Sequence, residues 1–114
     1  MISIQEEGPL LVAGVFGEFE LADYRRFEQA LAQQLTKQGK ASVLVDLRDM
    51  LGMTVDVAIE DIKFTRAHAS DPGKVALLSE REGVQWVALL LQPFMNAELR
   101  VFDDEGTARE WLAS

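Results

Sequence analysis

The sequence predicts an α/β domain in which strands and helices alternate along the chain. Two short β-type runs open it, Ile2–Gln5 and Leu10–Phe16. Amphipathic helical segments then alternate with the nearly continuous apolar runs Ser42–Leu47 and Lys74–Ser79, which are typical of parallel strands covered on both faces. The predicted order is β-β-α-β-α-β-α-β-α, a five-stranded mixed sheet with helices packed on it. We expect all 114 residues to form one domain, 1–114.

The link between the first two strands predicts their relative direction. Gly8-Pro9 punctuates the chain there, and a link of this length cannot make a parallel crossover. The first strand is therefore expected to be antiparallel, at or near an edge of the sheet. Gly17 ends the second strand.

The first helix is predicted by apolar residues that recur at three- and four-residue spacing. They are Leu21, Tyr24, Phe27, Leu31 and Leu35. Gly39 is the expected C-terminal stop of this helix.

A loop and a second helix are expected after the central strand. Arg48–Met53 is predicted to be a loop around Gly52, and the side chain of Thr54 is expected to cap the helix that follows. The expected buried stripe of that helix consists of Val55, Ala58, Ile59 and Ile62. A second face carries Val57, Asp61, Phe64 and His68, and it either covers the sheet edge or faces a ligand.

The rest of the chain continues the alternation. Asp71-Pro72-Gly73 is predicted to be a turn, and Arg81–Leu91 is predicted to be a helix that Pro93 limits. Leu99–Phe102 is the predicted last strand. Asp103 or Asp104 can cap a final helix that carries Ala108, Trp111 and Leu112.

Composition excludes several classes of site. With 19 acidic and 11 basic residues the net charge is −8, which argues against a nucleic-acid partner. The chain has no cysteine and one histidine, so zinc–cysteine and multi-histidine metal sites are excluded. Asp46 and Asp49 follow the central strand and could hold a divalent cation, but we favour Asp46 as a cap that accepts backbone hydrogen bonds. We expect no cofactor, no metal and no enzymatic activity.

The sequence predicts a cytoplasmic location. The acidic N-terminal residues lack the basic start and apolar run of a signal peptide. The longest apolar run, Val87–Leu91, is far shorter than the roughly 20 residues that span a bilayer. A peripheral contact with the membrane surface stays open.

Short motifs that keep a fixed order are spread over almost the whole chain. They are Leu21-Ala22-Asp23-Tyr24, Val43-Leu44-Val45-Asp46-Leu47-Arg48-Asp49-Met50 with Gly52, Asp61-Ile62-Lys63-Phe64 with His68, Lys74-Val75-Ala76-Leu77-Leu78, Trp86, Pro93-Phe94, Arg100-Val101-Phe102, and Ala108 with Trp111-Leu112. Together these residues resemble the SpoIIAA-like bacterial family, which is related to STAS domains and similar in fold to CRAL-TRIO lipid-transfer domains.

The resemblance implies a five-stranded mixed sheet with four helices. It also implies a role at a hydrophobic ligand or a membrane surface rather than an enzymatic role. Anti-sigma-factor antagonists carry a phosphorylatable serine at the start of the helix after the central strand. Here only Thr54 offers a hydroxyl in that stretch, so Thr54 is the candidate phosphorylation site. Met53 stands where the family often has an aromatic residue after the loop glycine.

Two functional hypotheses follow. The first is a non-enzymatic module that binds a small hydrophobic ligand or lipid, or the membrane surface, because the segment Val84–Met95 is apolar on more than one face. Its ligand-binding residues are Met53, Phe64, His68, Trp86, Leu90 and Phe94. The alternative is a STAS-type regulatory module that docks a protein partner through the Gly52–Thr54 loop and the following helix, with a homodimer as a further candidate. A pocket favours the first hypothesis, and an exposed patch around Thr54 favours the second.

Overall fold

The computed structural model describes residues 1–67, 73–80 and 98–114. The strands in these ranges are β1 (Ile2–Glu7), β2 (Leu10–Val15), β3 (Gly17–Phe19), β4 (Ala41–Asp46), β5 (Met50–Met53), β6 (Gly73–Leu78) and β7 (Glu98–Phe102). The helices are α1 (Leu21–Gln38), α2 (Val55–Ala67) and α3 (Glu105–Ala113). Of these helices, none is long and apolar enough to cross a membrane.

Five strands form one mixed sheet in the order β1-β2-β4-β6-β7. β1 pairs antiparallel with β2, with Ile2 opposite Val15, while the β2–β4, β4–β6 and β6–β7 pairs are parallel. The predicted fold class, including the antiparallel first strand at the sheet edge, is confirmed. The predicted helix Arg81–Leu91 and most of the turn before β6 lie outside the described residues.

β4 is the central strand, and both of its faces are covered. Val43 and Val45 pack in one cluster with Tyr24 of α1 and Val57 of α2. Leu44 points to the other face and packs with Ala108 of α3. This two-sided burial explains why the strand reads as a nearly continuous apolar run.

The apolar stripe of α1 packs as its spacing predicts. Tyr24 is buried, and the other four stripe residues pack partly buried against the same core. At its start, the Glu20 amide donates to Asp23 Oδ2 (3.2 Å). At its end, Gly39 adopts a left-handed conformation (φ 74°) and donates its amide to the Leu35 carbonyl (2.9 Å), which confirms the predicted stop.

One buried polar side chain of α1 completes the hydrogen bonding at the amino ends of β2 and β4. Gln34 is 7% exposed, and its Nε2 donates to the carbonyls of Pro9 and Ser42 at 2.8 Å each. Its Oε1 accepts from the Ser42 amide at 3.2 Å. Because the β2–β4 ladder begins only at Leu11 and Val43, Gln34 binds backbone groups that lie just before the first strand pair.

Replacing this amide should therefore cost more than an ordinary surface change. We expect Gln34→Leu to lower the free energy of unfolding by about 2–3 kcal/mol, because the partly buried backbone groups of Pro9 and Ser42 lose their partners. Chemical denaturation measures the loss, with the exposed neighbour change Gln33→Leu as the control, expected within about 0.5 kcal/mol of the parent. Equal effects of the two changes would contradict the assigned role of Gln34.

The predicted loop Arg48–Met53 is partly wrong. Met50–Met53 forms β5, which pairs in parallel with the equally unpredicted β3 to make a separate two-stranded sheet. Both strands are too short to give a periodic signal. Phe19 and Met50 nevertheless anchor the pair, because each is only 5% exposed.

The predicted buried face of α2 is also wrong. Val55 and Ile59 are 77% and 51% exposed and Ala58 is exposed, whereas Val57 from the opposite face is fully buried in the core. The side chain of Ile62 lies outside the described part of the chain. Apolar residues occupy both faces at the start of this helix, so periodicity does not determine which face meets the sheet.

The carboxyl-terminal elements match their predictions and close the second face of the sheet. Asp104 caps α3 by accepting the Thr107 amide at 2.8 Å. Trp111 packs on Phe102 with ring centroids 5.5 Å apart. At the end of α3, Lys74 Nζ donates to the carbonyl of Trp111 at 3.1 Å and so ties the helix to β6.

β6 begins at a position that requires glycine. Gly73 has φ 142°, and a Cβ there would lie 2.0 Å from the carbonyl oxygen of Ala41, its partner on β4. The pairing of β6 with β4 at this end of the sheet therefore requires a residue without a Cβ atom at position 73.

Candidate functional site

The predicted ligand-binding residues fall mostly outside the described part of the chain. His68, Trp86, Leu90 and Phe94 lie there, and Phe64 is placed on α2 by its backbone alone. Met53 and Thr54 are described, at the end of β5 and just before α2. The predicted apolar pocket thus stays a prediction.

Exposed apolar side chains gather where β5 leads into α2. We call this set the β5–α2 surface, and its members are Leu51 (78% exposed), Met53 (41%), Val55 (77%) and Ile59 (51%). Val55 and Ile59 share a helix face because they are four residues apart. Exposed apolar side chains scattered singly are ordinary, whereas four of them within residues 51–59 make this segment a candidate interaction site.

An irregularity in the pairing of β3 with β5 leaves Leu51 without a partner residue. Gly17 pairs with Met50, but the next residue, Glu18, pairs with Gly52, so Leu51 is an extra residue on β5. As in a β-bulge, such a residue has no partner across the ladder and its side chain is redirected. Two backbone bonds hold the pair at its ends, from the Gly17 amide to the Asp49 carbonyl (3.1 Å) and from the Thr54 amide to the Phe19 carbonyl (3.2 Å).

Thr54 occupies the N-cap position of α2, but its side chain does not cap the helix. Its carbonyl accepts from the Ala58 amide at 3.3 Å, as an N-cap carbonyl does. Its Oγ1, however, is buried and has no hydrogen-bond partner among the described residues. The Val57 amide donates instead to Asp56 Oδ1 at 3.0 Å. The predicted side-chain cap is therefore wrong, because the neighbouring carboxylate takes the amide.

An unpartnered buried hydroxyl makes Thr54→Val an informative change. We expect the variant to be as stable as the parent or up to about 1 kcal/mol more stable, because a methyl group removes the cost of a desolvated hydroxyl. Chemical denaturation measures the difference. A loss of about 1 kcal/mol, the usual cost of removing a side-chain cap, would show that Oγ1 does stabilise α2.

Carboxylates border the β5–α2 surface. We call them the acidic rim: Glu18, Asp49 and Asp56 are exposed, and Glu60 is half-buried. Glu18 pairs with Gly52 across the two-stranded sheet, and Asp49 directly precedes β5. Asp56 and Glu60 each follow an exposed apolar residue of α2. Within the described ranges, no cluster of three or more acidic or histidine side chains is arranged to hold a metal ion.

Asp46 makes the hydrogen bonds that are predicted for a loop cap. Its Oδ1 accepts from the Arg48 amide and Nε, both at 3.0 Å, and its Oδ2 accepts from Arg48 Nη2 at 2.8 Å. These bonds hold the pKa of the Asp46 carboxyl below its usual range. Arg48 also reaches Glu105 Oε1 at 3.3 Å, which joins the end of β4 to the start of α3.

This lowered pKa predicts a pH-dependent contribution to stability. A carboxyl whose pKa falls on folding stabilises the protein above its unfolded pKa of about 3.9 and loses that effect as the pH falls through the folded value. We expect Asp46→Asn to cost about 1 kcal/mol at neutral pH. Denaturation at several pH values should show the cost shrinking toward zero in acid. Asp103→Asn, in an exposed turn, is the control, and a pH-independent cost of Asp46→Asn would contradict the assignment.

Comparisons with known proteins agree on the fold. A family model described as SpoIIAA-like matches residues 10–113. An uncharacterised protein from Shewanella loihica PV-4 with a SpoIIAA-like fold is 22% identical, with a TM-score of 0.76 over 98% of this chain and 92% of that one. A comparison with curated proteins found no match.

Two further structures are named as anti-sigma factor antagonists. SpoIIAA in its unphosphorylated form is 12% identical, with a TM-score of 0.66 over 100% of this chain and 99% of that one. A protein from Mycobacterium paratuberculosis is 11% identical, with a TM-score of 0.62 over 100% and 94%. At these identities the likeness concerns the fold.

Proposed function

We propose that this chain, which belongs to the SpoIIAA-like family, is a non-enzymatic regulatory module that docks a partner protein through the β5–α2 surface. The observation that carries the proposal is the exposure of Leu51, Met53, Val55 and Ile59 in one continuous stretch of chain. The two structural relatives named as anti-sigma factor antagonists have names that describe action on a protein partner.

The energetics of the surface suit docking. Fully burying a large aliphatic side chain contributes about 1.5–3 kcal/mol to the free energy of binding. A partner that covers several of these residues therefore gains several times that amount, against which stands the entropy that both proteins lose on association. The surface also lies on supported elements, because Val57 fixes α2 to the core and Phe19 fixes β3. A binding site on ordered backbone loses little conformational freedom when it engages a partner.

A site-specific cross-link followed by an affinity measurement tests this proposal. A photo-reactive amino acid at position 59 should trap a protein in the native host, whereas the same group at Gln33 on the exposed side of α1 should not. With the trapped protein purified, we expect Ile59→Asp to weaken its binding to the chain at least about tenfold in calorimetry, and Gln33→Asp to leave it unchanged. Equal affinities for the two variants would overturn the proposal.

Thr54 is our proposed regulatory position within the same surface. It lies between Met53 and Val55, and a phosphate there would add about −1.5 to −2 charges at the centre of an apolar interface. We expect that charge to release the partner. Because Oγ1 is enclosed, a kinase would have to open the β5–α2 junction to reach it.

Intact-mass analysis of protein from the native host tests the modification. We expect a species heavier by about 80 Da, one phosphate, that disappears in Thr54→Val. Persistence of this species in the variant would place the phosphate elsewhere, and its absence from the parent would exclude Thr54 as a regulated site under those conditions.

The hydrophobic-ligand hypothesis stays a separate prediction. It rests on the excess of apolar residues in Val84–Met95, which the β5–α2 surface does not include. Native mass spectrometry of freshly purified protein distinguishes the two hypotheses. A bound lipid would support a ligand role, and ligand-free chain would favour protein docking.

A further inference from the structure

The geometry points to a partner that offers an apolar cleft bordered by lysine or arginine side chains, with Leu51 as the side chain that enters the cleft. This inference rests on the proposed function and adds the chemistry of the partner and the residue that anchors it. Two independent observations support it: the charge around the β5–α2 surface and the irregular pairing at Leu51.

The charge around the surface is predominantly negative: four carboxylates border it, against one exposed lysine, Lys63, which lies one helical turn after Ile59 on α2. Glu18 and Asp49 border β5, while Asp56 and Glu60 border the exposed side chains of α2. Arg48 lies close in sequence, but its guanidinium is already bound to Asp46 and Glu105. A partner with acidic groups opposite this rim would meet like charges, whereas cationic groups would be attracted and steered toward the surface.

The same charge argues against a second copy of this chain as the occupant. A symmetric dimer built on the β5–α2 surface would bring the acidic rim of one chain close to the acidic rim of the other. The chain as a whole carries a net charge of −8, so association between copies is opposed at long range as well. The surface is therefore better suited to a different, basic protein.

Leu51 has the features of an anchor. It is 78% exposed, the highest value among the large apolar residues that the structure describes, with Val55 next at 77%. The register shift leaves it without a partner across β3, while its neighbours Met50 and Gly52 stay paired. Its backbone is thus held on both sides while its side chain projects outward, so docking it costs little ordering of the main chain.

A pair of synthetic peptides provides the probe. Both contain the same alternating leucine and valine residues, and they differ only in carrying lysine or glutamate at the other positions. We expect the lysine peptide to shift the amide NMR signals of Leu51, Met53 and Val55, and we expect the glutamate peptide to shift none. Raising sodium chloride from 50 to 300 mM should weaken binding of the lysine peptide about fivefold or more.

Matched charge variants distinguish the effect of the acidic rim on binding from the effect of the net charge of the chain. Glu18→Gln with Asp56→Asn should weaken binding of the lysine peptide about fivefold, whereas Glu6→Gln with Asp103→Asn, the same change in net charge at other exposed sites, should leave it unchanged. Leu51→Ala should weaken binding to a similar degree, with Phe16→Ala, another exposed apolar residue, as its control. Each variant is first shown to unfold at the denaturant midpoint of the parent.

The outcomes distinguish this inference from the proposed function. If both peptides bind the β5–α2 surface equally, or if the two charge pairs act alike, the basic partner is excluded while docking at this surface stands. If the lysine peptide shifts signals only elsewhere, its attraction to the chain is non-specific and the inference is overturned. A dimer that Ile59→Asp dissociates in sedimentation experiments would make a second copy the occupant and would also overturn it.

Discussion

The parallel pairing of β4 with β2 on one side and β6 on the other is the constraint on which the rest of the structure depends. It requires apolar side chains on both faces of β4, which α1 and α2 cover on one face and α3 covers on the other. It also leaves backbone groups at the amino end of the ladder, and Gln34 binds these. At the carboxyl end, the Asp46–Arg48 pair turns the chain out of β4 toward β5.

The β5–α2 surface exists because the chain leaves the main sheet after β4. After the turn, the chain pairs with β3 rather than returning to the main sheet, and the resulting two-stranded sheet carries the chain directly into α2. Among the described side chains of α2, Val57 is the one that lies in the core, and Val55 and Ile59 face solvent. One buried valine thereby determines which apolar face of α2 is exposed to solvent.

Burial on two faces and helical periodicity are strong signals, and they predict β4 and the stripe of α1 from sequence alone. The antiparallel first strand follows from the short Gly8-Pro9 link, which cannot make a parallel crossover. The second sheet is not predicted, because strands of three and four residues have no measurable period. The exposed face of α2 is predicted wrongly since both of its faces are apolar at the start of the helix, and only packing in the core selects Val57. Gln34 gives no sequence signal, because a buried glutamine resembles any polar helix residue until its backbone partners are known.

Hydrogen–deuterium exchange of the chain, free and bound to its cross-linked partner protein, tests the central claim most directly. Docking at the β5–α2 surface predicts slower exchange for the amides of β5 and the first turns of α2, with β1 and α3 unchanged. Slower exchange confined to β1, α3 or the exposed side of α1 would contradict the account, because it would place the partner on a face where the apolar residues Leu51 and Ile59 take no part.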